Sequence, residues 1–418
     1  MLLNKHVIVG ICGGIACYKA VDLVSKLQQA GALVDVVLTE KADEFVRPLT
    51  FATVSHRPVY SDLWEPSGEA AENHIRLAEE ADILAIVPAT ANTIAKLAHG
   101  IVDNMLTAVA LATQAPLLLA PAMYKHMYTH PATQANLALL RERGAFLVEP
   151  EVGRLASGAI GPGRLPDTET LLGAIKLVLG KKGDLAGCRV VVTAGGTQEP
   201  IDPVRYVGNR SSGKMGYALA EEARDRGAHV VLISGPVSLP VPYGVELRRV
   251  ETAAQMQAAV FSAVTNADVL IMSAAVADFR PAHPASQKIK KRLGGGRGAG
   301  EGENTGEQAT DGSFSLHLIK NPDILGELAQ MQDLPRRLVR VGFAAETENV
   351  VENAKDKLHR KQLDLLVAND VTRSDSGFGT NTNKVTLFHA NGVMEDLPVM
   401  PKTGVAAAIW DRVVSLLS

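Results

Sequence analysis

The sequence predicts an α/β protein built from two doubly wound, Rossmann-like domains with mainly parallel sheets. Three observations carry this expectation. Continuous β-branched runs such as Val7–Val9, Ile83–Val87 and Val190–Val192 alternate with helical stretches, the pattern of strands buried on both faces. The chain also starts twice. His6–Ile11 reads as a strand, followed by a glycine turn, a helix through Ala30, Gly31 and a strand at Leu33–Thr39. Cys188–Thr193 opens the same series, with a helix through Arg226, Gly227 and a strand at His229–Ser234. Finally, Ala81–Val87 is echoed later by Ala267–Met272.

At 418 residues the chain is long enough for two or three domains, each with its own core. The polar, glycine-rich stretch Gly180–Gly187 follows an expected helix at Thr168–Leu179. It predicts a first domain at 1–180, a linker at 181–187 and a second domain at 188–418. Leu293–Ser313, rich in Gly, Glu and Thr, cannot bury a core and reads as a mobile loop, 293–313, in the second half.

A formal net charge of -3 gives no global attraction to nucleic acid or to an anionic membrane. Aromatics at 4% argue against extended base-stacking platforms. Cys12, Cys17 and Cys188 have neither metal-ligand spacing nor a disulfide framework, which fits a reducing cytoplasm. The apolar start, Val7–Cys17, reads as a strand and glycine turn because Tyr18–Ala30 continues directly as an amphipathic helix. No run reaches transmembrane length without a glycine or charge.

In the first half, Gly13, Gly14 and Ile15 lie at a strand-to-helix turn. They do not complete a dinucleotide fingerprint, because Thr39 stands where an acidic residue would close the second strand. A hydroxyl there suits a mononucleotide phosphate or a ribityl group, and it weakens a nicotinamide-enzyme reading. Thr90, Asn92 and Thr93 follow the strand Ile83–Val87, at the carboxyl end where open parallel sheets bind ligands. They read as phosphate or flavin ligands, as an N-cap cluster for the helix Ile94–His99, or as both.

In the second half, 193–220 carries glycines, hydroxyls, Arg205, Asn209, Arg210 and Lys214 between a strand and a helix. That is the composition of a site for a phosphorylated ligand. Met272, Ser273 and Ala274 end a strand where a nucleotide would sit, and Asp278 follows as a contact for nucleotide or metal. Pro322, Asp323, Ile324 and Leu325 read as a helix start with exposed amides. Phe343 follows a strand at Leu338–Val341 and faces either a base or the core. Lys357 and Lys361 stand one helical turn apart, so both ammoniums can face one anion.

These motifs resemble those of the bifunctional phosphopantothenoylcysteine decarboxylase/phosphopantothenate–cysteine ligase family. The first-half resemblance rests on Gly13–Ala16, Asn73–Ile75, Pro88–Asn104 and Pro121–Met123; the second runs from Asp184 to near the C-terminus. It implies a flavoprotein half that binds FMN and uses His74 as a catalytic residue, with Met123 and Tyr124 at the substrate. It implies a ligase half in which Asn209 handles the acyl-nucleotide intermediate and Arg205 belongs to the same loop. Lys288 is then the catalytic lysine, and Lys357 and Lys361 contact CTP phosphates. Mg2+ would offset triphosphate charge, with Asp278 as its candidate ligand. The substrates implied are 4′-phosphopantothenate, cysteine and CTP. CTP-dependent ligation through an acyl-cytidylate is followed by decarboxylation to 4′-phosphopantetheine. The family also implies a large homo-oligomer, up to a dodecamer, in the cytoplasm.

Two residues depart from the family pattern. Tyr124 stands where the substrate-gripping motif has asparagine, and Ser157 where the lid carries a proton-donating cysteine. A hydroxyl is a far weaker acid than a thiol of pKa about 8.5. This leaves a second reading open, in which the ligase is joined to a slow or catalytically retired flavoprotein half that serves as a binding or regulatory module.

Overall fold

The structure, a computed structural model, describes residues 2–64, 73–290, 307–308, 314–331, 334, 337–346, 350–370 and 379–417. The chain divides into two compact units, Met1–Gly183 and Asp184–Ser418. Most of the expected mobile loop at 293–313 lies outside the described residues; 307–308 form a short strand within it.

The first unit is organised around a six-stranded sheet. From one edge its order is Val59–Tyr60, Leu33–Leu38, His6–Ile11, Ile83–Ala89, Leu117–Pro121 and Phe146–Leu147, with every pairing parallel. Chain order reverses between His6–Ile11 and Ile83–Ala89, so the switch-point crevice opens beyond their carboxyl ends. All seven residues of Ile83–Ala89 are buried, as an unbroken apolar run predicts for a central strand. The helix Cys17–Gln29 buries Cys17, Ala20, Leu23, Val24 and Leu27, the three-and-four spacing of one helical stripe. Beside this sheet stands an antiparallel hairpin, Glu151–Arg154 with Ile160–Arg164.

The second unit repeats the plan. Its eight-stranded sheet runs Glu246–Arg249, His229–Ser234, Arg189–Ala194, Val269–Met272, Val339–Glu346, Leu365–Asp370, Val385–His389 and Met394–Asp396. The first six strands are parallel and the last two antiparallel. The switch point falls between Arg189–Ala194 and Val269–Met272. Two helices, Lys214–Asp225 and Lys402–Leu417, pack against each other on this sheet. Trp410 is fully buried between them and its indole Nε1 donates to the Leu219 carbonyl at 2.9 Å. Arg226 reaches from the end of the first helix to Asp411 of the second and to Asp184. The two helices therefore run the same way, with their N-termini side by side at the carboxyl end of the sheet.

Candidate functional site

Each switch point gathers one group of the expected residues. In the first unit, the loops after three strands converge. The Gly13 amide donates to Thr39 Oγ1 at 3.2 Å, and the Cys12 amide to the Pro88 carbonyl at 3.3 Å. A Cβ on Gly13 would stand 2.5 Å from Lys41 Cβ, so this turn requires glycine. Across the crevice, Thr90 caps the helix Ala91–His99 through the Thr93 amide. Capping by Thr90 and a ligand role for the same turn are compatible, because only one orphan donor is used. Cys12 Sγ donates to Thr93 Oγ1 at 3.2 Å, and burial pushes its thiol above the usual range. Ile15 and Asn92 are exposed at the rim. The glycine turn with the hydroxyls of Thr39, Thr90 and Thr93 has the chemistry that fits the phosphate and ribityl chain of a flavin mononucleotide.

The residues expected at the substrate stand on other elements of the first unit. His74 is half-buried in the first turn of the helix Asn73–Glu80. Met123 donates its amide to the Gly163 carbonyl at 3.0 Å, which ties the loop after Leu117–Pro121 to the hairpin. Tyr124 is 40% exposed and its ring meets His126 edge-on at 5.2 Å. Ser157 is exposed in the hairpin turn, where its Oγ accepts from the Ala159 amide at 3.5 Å.

In the second unit the switch point opens into a cavity of about 920 Å³. Its walls include Asn209, Met272, Ser273, Ala274, Asp278, Pro322, Asp323, Ile324, Leu325, Phe343, Lys357 and Lys361. Gly195 and Ala275 hold the strand ends together through an amide-to-carbonyl bond of 2.9 Å, and Ser273 Oγ donates to the Thr193 carbonyl at 2.6 Å. Asn209 is exposed on the cavity wall, and its Nδ2 donates one hydrogen to the Val276 carbonyl at 3.1 Å, which leaves the second Nδ2 hydrogen for another acceptor. Asp278 is exposed on the cavity wall, where its carboxylate offers a hard oxygen donor.

The structure refines several expectations. Asp323 caps the short helix Ile324–Leu328 through the Gly326 amide at 3.0 Å, so that helix start is not wholly open. Lys361 lies just past the helix Val350–Arg360 and pairs with Asp323 at 2.7 Å. Burial opposes ionisation of Asp323, yet the hydrogen bond from Lys361 holds its carboxyl below the usual range. Lys357 Nζ donates to the Phe343 carbonyl at 3.0 Å. Met272, Ile324 and Leu325 line the cavity while belonging to the buried core. Phe343 both lines the cavity and packs on the core.

Lys288 and Arg205 are not among the cavity walls. They share a cluster built on buried Asp202, which accepts from the amides of Val204, Arg205 and Ile289 and from the Arg205 guanidinium at 3.1 Å. Arg205 also donates to the Ile289 carbonyl at 3.3 Å. Lys288 is exposed on this segment, three positions before residue 291, where the described stretch 73–290 has ended. Sequence reasoning missed Lys402 and Asn383, both cavity-lining and both buried. Away from the cavity, His6, Asp35 and Glu80 place one ligand atom each within 4.8 Å of one another. Arg57 already takes both Asp35 oxygens, at 2.9 and 3.0 Å, so this is an ion-pair cluster.

The family model for flavoproteins matches residues 1–180, and that for the C-terminal domain of DNA/pantothenate metabolism flavoproteins matches 185–297 and 302–417. The chain is 44% identical over 419 aligned residues to the coenzyme A biosynthesis bifunctional protein CoaBC of Bacillus subtilis, covering 100% of this chain and 98% of that one. It is 42% identical over 415 residues to the protein of that name from Escherichia coli, covering 99% and 98%. Among solved structures, the C-terminal domain of a CoaBC protein is 36% identical over 56% of this chain and 98% of its own, with a TM-score of 0.45. The FMN-dependent cysteine decarboxylase SpaF is 32% identical over 42% and 99%, with a TM-score of 0.37.

Proposed function

The chain belongs to the family of bifunctional coenzyme A biosynthesis proteins, and we propose that its two units carry out consecutive steps on one intermediate. The second unit joins 4′-phosphopantothenate to cysteine at the expense of CTP. The first removes CO2 from the resulting 4′-phosphopantothenoylcysteine. The observation that supports this best is that one chain holds two switch-point crevices, one with the donor set for a flavin mononucleotide and one with that for a nucleotide.

In the ligase unit the substrate carboxylate attacks the α-phosphorus of CTP. An acyl-cytidylate forms and pyrophosphate leaves. The amine of cysteine then attacks the acyl carbon, giving the amide and CMP. Asn209 donates toward the acyl-nucleotide, and Lys357, Lys361 and the backbone at Pro322–Leu325 hold the nucleotide. Asp278 would hold Mg2+, which neutralises triphosphate charge. Lys288 and Arg205 act from their arm beside the cavity, where the ammonium offsets repulsion between carboxylate and triphosphate.

In the flavoprotein unit Gly13, Gly14, Thr39 and Thr90–Thr93 would hold FMN, which supplies two-electron oxidation of the cysteinyl side. His74 moves a proton at the substrate, and Met123 and Tyr124 orient it. A homo-oligomer in the cytoplasm completes the reading.

The test is one reaction mixture of full-length protein, 4′-phosphopantothenate, cysteine, CTP and Mg2+, with CMP and CO2 followed separately. Both products are expected, and absence of CMP refutes the ligase assignment. CMP without CO2 supports the second reading, a slow or retired flavoprotein half. Exposed Ser157, with no acidic hydrogen of its own near neutral pH, favours that reading.

A further inference from the structure

The far wall of the ligase cavity carries two cations that none of the roles above uses. Lys214 and Lys402 are the first residues of the helices Lys214–Asp225 and Lys402–Leu417. A cation at a helix N-terminus is on the unfavourable end of the macrodipole. Here two such cations sit on neighbouring helices whose N-termini adjoin. Their described partners are neutral. Lys214 Nζ donates to the Gly379 carbonyl and to Asn381 Oδ1, both at 2.8 Å, and Lys402 Nζ donates to the Thr380 carbonyl at 2.6 Å. Three consecutive residues thus bind both ammoniums, which fixes the two close together. Among the described residues no carboxylate pairs with either.

Lys402 is only 9% exposed, and burial, reinforced by the nearby charge of Lys214, pushes its amine below the usual lysine range. Asn383, at 3% exposure, also lines the cavity. The described contact of its Nδ2 is the thioether of Met215 at 4.0 Å, a weak acceptor. A buried amide donor is thus left with unused capacity on the same cavity wall as two cations whose described partners are neutral. The helix Lys214–Asp225 has no side-chain cap, because its N-cap residue is Gly213 at φ +74°. Every one of these features is unfavourable in an empty protein, and one dianion would relieve them all.

We propose that Lys214, Lys402 and Asn383 form a phosphate subsite of the ligase cavity, selective for a phosphate dianion. The proposal rests on the ligase reading for its choice of ligands. Two sources share this chemistry: the polyphosphate of the nucleotide and the phosphomonoester of the acyl substrate. Lys402 neutralises the bound dianion from the buried side, Lys214 from the half-buried side, and Asn383 fixes an oxygen between them.

The test uses full-length protein with Lys402→Met, which keeps an unbranched apolar stem, and Lys214→Gln. Calorimetric titrations with pyrophosphate alone, CTP against cytidine, and 4′-phosphopantothenate against pantothenate separate the sources. A tenfold or greater loss of affinity for a phosphate-bearing ligand, with its dephosphorylated counterpart unchanged, is the expected result. Loss for CTP and pyrophosphate assigns the nucleotide; loss for 4′-phosphopantothenate alone assigns the acyl substrate. Wild-type affinities for every phosphate-bearing ligand in both variants overturn the subsite. If Lys402→Met does not fold, Lys214→Gln decides by the same criterion. The two readings also fail separately. CMP formation with unaltered affinities in the variants sinks the subsite alone, whereas lysine-dependent pyrophosphate binding without any CMP sinks the ligase alone.

Discussion

Replacing Gly216 by alanine should destabilise the second unit, although glycine-to-alanine in a helix ordinarily does the reverse. Gly216 is the third residue of the helix Lys214–Asp225 and is buried. On propensity alone, alanine would gain about 1 kcal/mol. Here an added Cβ would stand 2.5 Å from Ala194 Cβ, 2.7 Å from Ser273 Oγ and 2.8 Å from the Thr193 carbonyl oxygen. Two of those atoms belong to the central strand Arg189–Ala194 and cannot rotate away, so the cost lies toward the top of the about 1–3 kcal/mol typical of overpacking. Ser273 would also be driven off the Thr193 carbonyl, which costs about 1 kcal/mol more. The balance is a loss of about 2–3 kcal/mol. The chain has two tryptophans, of which Trp64 is 83% exposed and Trp410 fully buried. In a Trp64→Phe background, Trp410 fluorescence therefore reports the second unit. With a urea slope of about 2 kcal/mol/M, the midpoint should fall by roughly 1 M. Ligation should drop because the helix carries Lys214 away from the sheet, while decarboxylation of supplied 4′-phosphopantothenoylcysteine continues. An unchanged or higher midpoint would refute the packing argument.

Further expectations concern the chemistry and the pH range. Lys288→Gln should leave CTP binding measurable and slow pyrophosphate release at least tenfold; an unaltered rate removes Lys288 from the reaction. His74→Asn should keep the flavin absorption bands and lose CO2 release, and full decarboxylation in that variant counts against its role. Ser157→Cys restores a thiol of pKa about 8.5 to the hairpin turn, and rapid-mixing flavin spectroscopy should show faster completion of the reductive step. Equal rates and product masses in both proteins would assign the proton to another donor, with Tyr124 next in line. Asp184 is held below the usual carboxylate range by its hydrogen bonds with Arg226. A depressed folded-state pKa stabilises above the unfolded value of about 3.9, and that contribution is lost as pH falls through the folded pKa. Asp184→Asn should thus melt lower than wild type at pH 7 and converge with it in strong acid; a constant gap down to pH 2 would contradict the linkage.

Elements that announce themselves locally were legible in the sequence. His6–Ile11 and His229–Ser234 have the strand limits expected, because each is built on a short apolar run rich in β-branched residues, Val7–Val9 and Val230–Ile233. The helix expected to run through Arg226 starts at Lys214, where Gly213 at positive φ makes the turn, and ends at Asp225. The helix expected at Ile94 starts at Ala91, because Thr90 supplies its cap. Asp323 was legible as part of a helix start, but its pairing with Lys361 across 38 residues was not. An ion pair of that kind has no spacing rule in sequence.

Lys402 shows what kind of signal was overlooked. It lies 188 positions beyond Lys214, whose loop was the densest run of donors in the chain, and only the packing of two helices brings them to one wall. Yet each residue carries a local sign. Lys402 follows Pro401 and opens a helix, and Lys214 follows Gly213 and opens another. Helix starts favour acids, so a lysine there is a local conflict between charge and backbone dipole. Two such conflicts in one domain are compatible if their N-termini share an anion. The same logic separates Lys288 from this pair. Its segment is anchored to Asp202 through the Ile289 amide, and its own side chain is exposed. Lys214 and Lys402 are held by hydrogen bonds on the cavity wall, whereas Lys288, proposed to act in the chemical step, is exposed and is not among the cavity walls. Loss of a preformed cation should therefore appear in affinity, and loss of Lys288 in rate.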